Sequence, residues 1–298
     1  MRITTLGFIG LGSMGRPIAG RLLEGNQVYG NNRIKDKATP LIERGLIWRD
    51  TPREVAAAAD ITFSMVTDEV ALNAIISGPD GILAGLRPGR IYVDMSTVSP
   101  RTSRELARRV RAAGATMLDA PVSGSVPAAA SGTLAIMVGG PERAFRVAEP
   151  LLRRLGSTVT RAGENGQGLL LKLAIDISLA AQMLAFSEGL LLAERGGIDP
   201  ELAAQTMSAS AIGSPMLQAR IPMVLDLPQQ PWSDMRSMHK DIRLALEAGG
   251  KPGIPMPAAS AADSILTRAE ELGYGRRDIA GFLQVLERIA AEPVPEAV

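Results

Sequence analysis

Three groups of residues in this 298-residue chain could do chemistry. The first is Gly10-Leu11-Gly12-Ser13-Met14-Gly15, which fits G-x-G-x-x-G directly after the apolar run Thr5–Ile9 and at the head of a helical pattern. In that setting the first glycine makes a tight turn and the second lets a pyrophosphate approach the backbone. The third lets helix and strand pack closely. The helix start adds free N–H groups and partial positive charge. The alternative is a glycine-rich turn in another kind of α/β protein. The second group is Lys172 with Asp176, one helical turn apart in an otherwise apolar stretch. The ammonium could protonate a carbonyl oxygen as hydride arrives, or accept the proton back in oxidation. The alternative is a helix-surface ion pair of little energetic weight. The third is the small-residue run from Asp119 to Leu134. There Ser123 and the N–H groups of Gly124 and Ser125 could form a nest for a carboxylate. The alternative is a flexible connection.

The tip of the second strand bears on which dinucleotide would bind. An NAD site places an acid about 20 residues beyond the glycines, on the ribose 2′-hydroxyl. Here the chain reads Tyr29-Gly30-Asn31-Asn32-Arg33-Ile34-Lys35-Asp36-Lys37. Asn32 and Arg33 stand at the tip, with Lys35 and Lys37 behind, and a guanidinium there can pair with a 2′-phosphate. The expectation is NADP(H). The alternative is a solvated turn with Asp36 as the ribose ligand. Further on, Lys240 could reach cofactor or substrate beside His239 and Asp241, or all three could form a polar helix face.

Composition narrows the chemistry. The chain has no cysteine and a single histidine, so Cys/His zinc sites, thiol nucleophiles and iron–sulfur clusters are excluded. No metal ligand set is expected. Proton transfer falls to Lys, Asp, Glu or Tyr, with an organic cofactor for the hard step. The 32 basic and 31 acidic residues nearly cancel, which argues against nucleic acid or an anionic membrane as partner. The cysteine count fits a cytoplasmic location. Leu169–Ala193 is apolar but broken by Lys172, Asp176, Gln182 and Glu188, which predicts a helix buried in protein rather than in lipid.

The elements that must position these groups alternate in the first half. Strands are expected at Thr5–Ile9, Gln27–Asn31, Ile61–Val66, Ile91–Asp94, Thr116–Asp119, Leu134–Val138 and Thr158–Arg161. Helical patterns lie between them, at Met14–Leu23, Pro52–Ala58, Glu69–Ile76, Pro100–Ala113 and Pro141–Leu152. That alternation predicts an α/β fold with a mostly parallel sheet. After Gly163 only helices are expected, beginning with a long one over Asn165–Arg195. The division is therefore a dinucleotide domain over 1–163 and a helical substrate or dimerisation domain over 164–298, with 164–195 as linking helix. The tail from Pro293 is expected to fray.

With these pieces placed, the chain resembles the β-hydroxyacid dehydrogenase family from about residue 5 to 290. The resemblance rests on four motifs in order: Gly7-Phe8-Ile9-Gly10-Leu11-Gly12-Ser13-Met14-Gly15, Asp119-Ala120-Pro121-Val122-Ser123-Gly124, Gly166-Gln167-Gly168 with Lys172, and Lys240-Asp241. Tyr274-Gly275 with Asp278 looks like the family's C-terminal signature. The resemblance implies a Rossmann-like doubly wound sheet joined by a long helix to an all-α domain, with the active site between domains and a homodimer or homotetramer. It implies Lys172 as general acid or base and Ser123 and Gly124 on the substrate carboxylate. Ser96 and Thr97 would lie next to the nicotinamide, Met65-Val66-Thr67 along the cofactor, and Lys240 closing over it. The expected reaction interconverts a small 3-hydroxy acid and its semialdehyde.

Three departures matter. Asp176 stands where the family usually has Asn; ionised Asp cannot donate a hydrogen bond, should repel a substrate carboxylate and should tolerate a cationic substrate. Ser125 stands where Gly is common. The Phe that commonly precedes the Lys-Asp pair has Trp232 or Ser233 as its nearest match. Imine reductases share this architecture and resemble the cofactor half, so an imine is the alternative substrate to a carboxylic acid.

Overall fold

In the computed structural model, which describes residues 5–250 and 252–292, the chain forms two compact units, one up to Lys172 and one from Leu173 on. The expected fraying from Pro293 lies outside the described residues. Among the described residues the first unit holds nine strands: β1 (Thr5–Ile9), β2 (Gln27–Asn31), β3 (Ile47–Trp48), β4 (Ile61–Ser64), β5 (Ile91–Asp94), β6 (Thr116–Asp119), β7 (Val122–Ser123), β8 (Leu134–Gly139) and β9 (Gly156–Gly163). Its helices are α1 (Gly15–Leu23), α2 (Thr39–Ile42), α3 (Pro52–Ala58), α4 (Glu69–Ile76), α5 (Ile82–Gly85), α6 (Pro100–Ala112), α7 (Val126–Ser131) and α8 (Glu142–Leu152). α9 (Gln167–Arg195) begins in this unit and continues into the second, followed by α10 (Pro200–Ala209), α11 (Pro215–Leu225), α12 (Met235–Gly250), α13 (Pro257–Glu271) and α14 (Phe282–Ala290).

The fold is α/β: a Rossmann-like, doubly wound sheet followed by an all-helical part. The strand order is β3-β2-β1-β4-β5-β6-β8-β7, with β9 on β8. The first six run parallel, while β8 is antiparallel to β6 and β7. Alternate side chains feed two cores, as the period of a strand requires. Phe8, Val93 and Leu118 join one face; Ile9, Tyr92 and Met117 join the other. Both faces are covered, so β4 and β5 are buried along their whole length and read in the sequence as apolar runs. Order reverses between β1 and β4, the crevice where ligands bind in such sheets. Register aligns one row of residues across the carboxyl ends: Asn31, Ile9, Ser64, Asp94 and Asp119.

The run after Asp119 is not a loose connection. Ser123 pairs with Ala135, and a short helix follows with Pro127 in its first turn and Gly132 closing it at φ +74°. Both are ordinary helix punctuation. In the second unit Phe186, Met235, Ile242, Leu266 and Phe282 belong to one core. α9 is long and apolar enough to cross a membrane by length and composition alone, and 44% of its most apolar window is buried in protein.

Candidate active site

The three glycines of the first motif do three different jobs. Gly10 sits at φ +95°, and a Cβ there would lie 2.2 Å from the Met65 carbonyl oxygen. A Cβ on Gly15 would lie 1.9 Å from the Gly10 carbonyl oxygen, so the third glycine closes helix onto turn. A Cβ on Gly12 would meet nothing within 4 Å. Only the second glycine faces open space, as a backbone that receives a pyrophosphate must. α3, α4 and α6 are capped by the side chains of Thr51, Asp68 and Ser99. α1 has no side-chain cap and no acid in its first turn, and Ser13 beside it is exposed. The Arg16 N–H turns back to the Gly12 carbonyl at 3.0 Å, and the uncapped end with the open backbone at Gly12 is a place an anion can approach. These residues fit a dinucleotide.

Asn32 ties this loop to the basic turn. Its Oδ1 accepts from the Leu11 N–H at 2.9 Å and its Nδ2 donates to the Ile34 carbonyl at 2.8 Å. Arg33 and Lys37 are exposed at the turn, while the Lys35 ammonium lies 5.3 Å from the Trp48 ring centroid. Lys35 is thus engaged with an aromatic face, and Arg33 and Lys37 are the cations presented at the tip.

Beyond the switch point, Asp94 organises the two loops expected along the cofactor. Its Oδ1 accepts from Ser64 Oγ (2.8 Å), Ser96 Oγ (2.7 Å) and the Ser96 N–H (3.2 Å). Ser96 Oγ also accepts from the Val66 N–H at 3.0 Å, and Ser64 Oγ lies 2.6 Å from the Tyr92 hydroxyl. The segment Met65-Val66-Thr67 is therefore pinned on one side to Ile9, whose carbonyl accepts from the Met65 N–H at 2.9 Å, and on the other to Ser96, next to Thr97. Burial pushes the Asp94 carboxyl up to about 6, against the hydrogen bonds from Ser96 and Ser64 and with the neighbouring Asp119 charge adding to the rise. Burial raises Tyr92 as well.

This has a sign for stability. The folded chain holds the Asp94 proton more tightly than the unfolded chain does. Its stabilisation is fully present below about pH 4 and is lost as pH rises through about 6. Between pH 4 and pH 7, urea unfolding should show Asp94→Asn losing about 2 kcal/mol less than the parent chain. Equal losses in both chains would remove Asp94 from this account.

Asp119 has the matching role on the neighbouring strand. Its Oδ1 accepts from the Gly166 N–H (2.7 Å), Ser103 Oγ (3.2 Å) and Asn165 Nδ2 (3.4 Å), and its Oδ2 from the Leu169 N–H (3.3 Å). Burial pushes this carboxyl up against those bonds. Gly168 is needed here because a Cβ would lie 2.5 Å from the Met137 carbonyl oxygen. Lys172, on the next turn of α9, is 9% exposed, and Asp176 is fully buried. Gly124 stands at φ +138°, where a Cβ would also lie 2.8 Å from a Leu134 methyl. Ser125 is at φ −97°, a conformation open to any residue, so its serine costs the loop nothing in backbone strain.

The first unit therefore brings the glycine loop, the basic turn, residues 65–67, 96–97 and 123–125, and Lys172 to the carboxyl side of one sheet. Asp176 and Lys240 belong to the second unit. The Lys240 ammonium lies 2.8 Å from the Asp241 carboxylate. The polar helix face over residues 239–241 packs against protein at His239 and Asp241, both buried. His239 is buried, its Nδ1 2.7 Å from Glu270 and its Nε2 3.1 Å from Asp263, so it clamps α12 to α13. Asp278 is likewise structural. Its carboxylate accepts from the N–H groups of Trp232, Ser233 and Ala280. Asp94 and Asp119 escaped the sequence reading as site residues. The available signal was an acid ending an apolar strand, a place it can occupy only if hydrogen-bonded.

Residues 5–163 match the family model for the NAD-binding domain of 6-phosphogluconate dehydrogenase, and residues 166–286 match that for NAD-binding of NADP-dependent 3-hydroxyisobutyrate dehydrogenase. The 2-hydroxy-3-oxopropionate reductase of Escherichia coli (strain K12) is 33% identical over 96% of this chain and 98% of its own length. The solved structure of Psf3 in complex with NADP+ and 2-OPP is 26% identical, with TM-score 0.86, covering 94% of this chain and 99% of that one. An imine reductase from Myxococcus stipitatus in complex with NADP+ shares the fold at 22% identity and TM-score 0.64, over 95% of this chain and 99% of its own. On the glycine loop, the lysine-bearing helix and these matches, the chain belongs to the β-hydroxyacid dehydrogenase family, oxidoreductases that act on CH–OH groups and bind a nicotinamide dinucleotide.

Proposed function

We propose that the protein is an NADP(H)-dependent oxidoreductase that interconverts a small 3-hydroxy acid and its semialdehyde, with Lys172 as general acid and base. The observation that carries this reading is a buried lysine on the second turn of a helix whose start is gripped at the carboxyl end of β6. The bound nicotinamide would supply or accept the hydride at the reacting carbon. Gly12 and the uncapped start of α1 would receive the pyrophosphate. Lys172 would hold the substrate oxygen and give it a proton in reduction, or remove that proton in oxidation. Ser123 with the N–H groups of Gly124 and Ser125 would orient the carboxylate. Exposed Leu192, Ile198 and Leu202 in the second unit support self-association as a dimer or tetramer, and a cytoplasmic location accords with a chain lacking cysteine.

Preference for NADP(H) rests on Arg33 and Lys37, which have no competing acid at the strand tip. Arg33→Ala should raise the KM for NADPH about tenfold and leave that for NADH unchanged, as loss of one charge-assisted contact requires. A lower KM for NADH than for NADPH in the parent protein would reverse the assignment.

A second reading has a specific observation behind it: Asp176 places a buried carboxyl one turn from Lys172. An acid there favours an iminium over a carboxylate substrate, as in an imine reductase. NADPH consumption with succinic semialdehyde, glyoxylate and a cyclic imine separates the two. Gain of acid reduction with loss of imine reduction in Asp176→Asn would favour the second reading; turnover of the carbonyl acids alone by the parent protein would favour the first.

A further inference from the structure

We propose that Asp119 is the positioning residue for Lys172: a buried carboxylate that fixes the height and rotation of the α9 start and so aims the lysine. The inference rests on the acid–base reading of Lys172 given above. Asp119 is 1% exposed and collects donors from two helices and the segment between β9 and α9: Ser103 from α6, Asn165 and Gly166 before α9, and Leu169 in its first turn. The Gly166 and Leu169 N–H groups are among those a helix start cannot pair internally. Most caps come from the residue preceding the helix. This one comes from a strand 47 residues earlier, and it anchors the helix to the sheet. Lys172 lies three residues past Leu169, on the turn stacked directly above the grip. A Cβ on Gly168 would also meet Asp119 Oδ2 at 2.9 Å, so the helix start is seated on the carboxylate. Asp119 is a Cα register partner of Asp94, so adjacent strand ends hold the cofactor loops and the lysine helix by the same device.

The test is Asp119→Asn, alone and with Lys172→Ala. The amide keeps one acceptor and turns the other oxygen into a donor facing an N–H. In the single variant kcat should fall about 10- to 100-fold, the scale of an ångström-level misplacement, with NADPH affinity and substrate KM unchanged. Amide hydrogen exchange should rise in the peptide covering residues 165–173 and nowhere else in the first unit. In the double variant, turnover should be no lower than in Lys172→Ala, because residues acting through one group are not additive. Parental kcat in Asp119→Asn, or effects that multiply in the double variant, would overturn the inference while leaving Lys172 in its role. Full activity in Lys172→Ala would bring down the acid–base reading itself. If Asp119→Asn does not fold, Ser103→Ala removes one donor and leaves the charge. It should lower kcat about threefold at constant NADPH affinity, and parental kcat there counts against the inference equally.

Discussion

Lys172→Ala should lose turnover by a factor of about 10²–10⁴, the contribution of a placed general acid or base, while NADPH binds as before. The separation of the two effects follows from where the residues lie. The groups expected to take the dinucleotide come from the carboxyl ends of β1, β2, β4 and β5, and Lys172 comes from α9. Losing the side chain leaves the grip on the helix intact, because that grip uses backbone N–H groups of Gly166 and Leu169. Leu169, fully buried in the core on one face of the sheet, also keeps its packing. Lys172→Arg should be nearly as poor as alanine. A planar guanidinium cannot lose its proton under these conditions and cannot act as a base. Steady-state kcat in both directions, with NADPH affinity from fluorescence titration, measures the claim. Parental turnover in Lys172→Ala would sink it, and an equal loss of NADPH affinity would recast the residue as a cofactor ligand.

Gly12→Val should abolish measurable NADPH binding, a loss of about two orders of magnitude or more in affinity, without lowering thermal stability. Gly10→Val and Gly15→Val should instead unfold the protein at lower temperature. The three substitutions are chemically the same and differ only in what the new side chain meets. At positions 10 and 15 it meets backbone carbonyl oxygens at 2.2 Å and 1.9 Å, which cannot move without breaking the turn. At position 12 a Cβ meets nothing within 4 Å beyond its chain neighbours, so the fold should bear the substitution. What it fills is the space a pyrophosphate would use, and the charge-assisted hydrogen bonds it would displace are worth about 1.5–3 kcal/mol each. Calorimetric titration with NADPH and thermal melts of the three variants give the answer. Undiminished binding by Gly12→Val would dismiss this loop as the pyrophosphate site.

Much of the scaffold was legible because buried parallel strands leave unbroken apolar runs. Thr5–Ile9, Gln27–Asn31, Ile91–Asp94 and Thr116–Asp119 form with the bounds that pattern predicts. The two-residue strands Ile47–Trp48 and Val122–Ser123 are too short to show a period, and the latter lay inside a run that looked like loop. The glycine loop was readable because its chemistry is local, with all three glycines within six residues. Asp94 and Asp119 were not, because they lie 25 residues apart and become neighbours only through strand register. The partners of His239 were illegible for a related reason. Its carboxylate partners sit on another helix, 24 and 31 residues away, where helical spacing within α12 says nothing about them.

The bare start of α1 makes the dinucleotide a component of the protein's structural inventory. A ligand that completes this helix end in the native chain and not in the unfolded one ties its occupancy to folding, so the two draw on the same free energy. At a hundred times its dissociation constant a ligand of the native state adds about 2.7 kcal/mol. The cellular concentration of free nicotinamide dinucleotide relative to its dissociation constant would therefore govern how long each molecule escapes unfolding and proteolysis, quite apart from how fast it turns over.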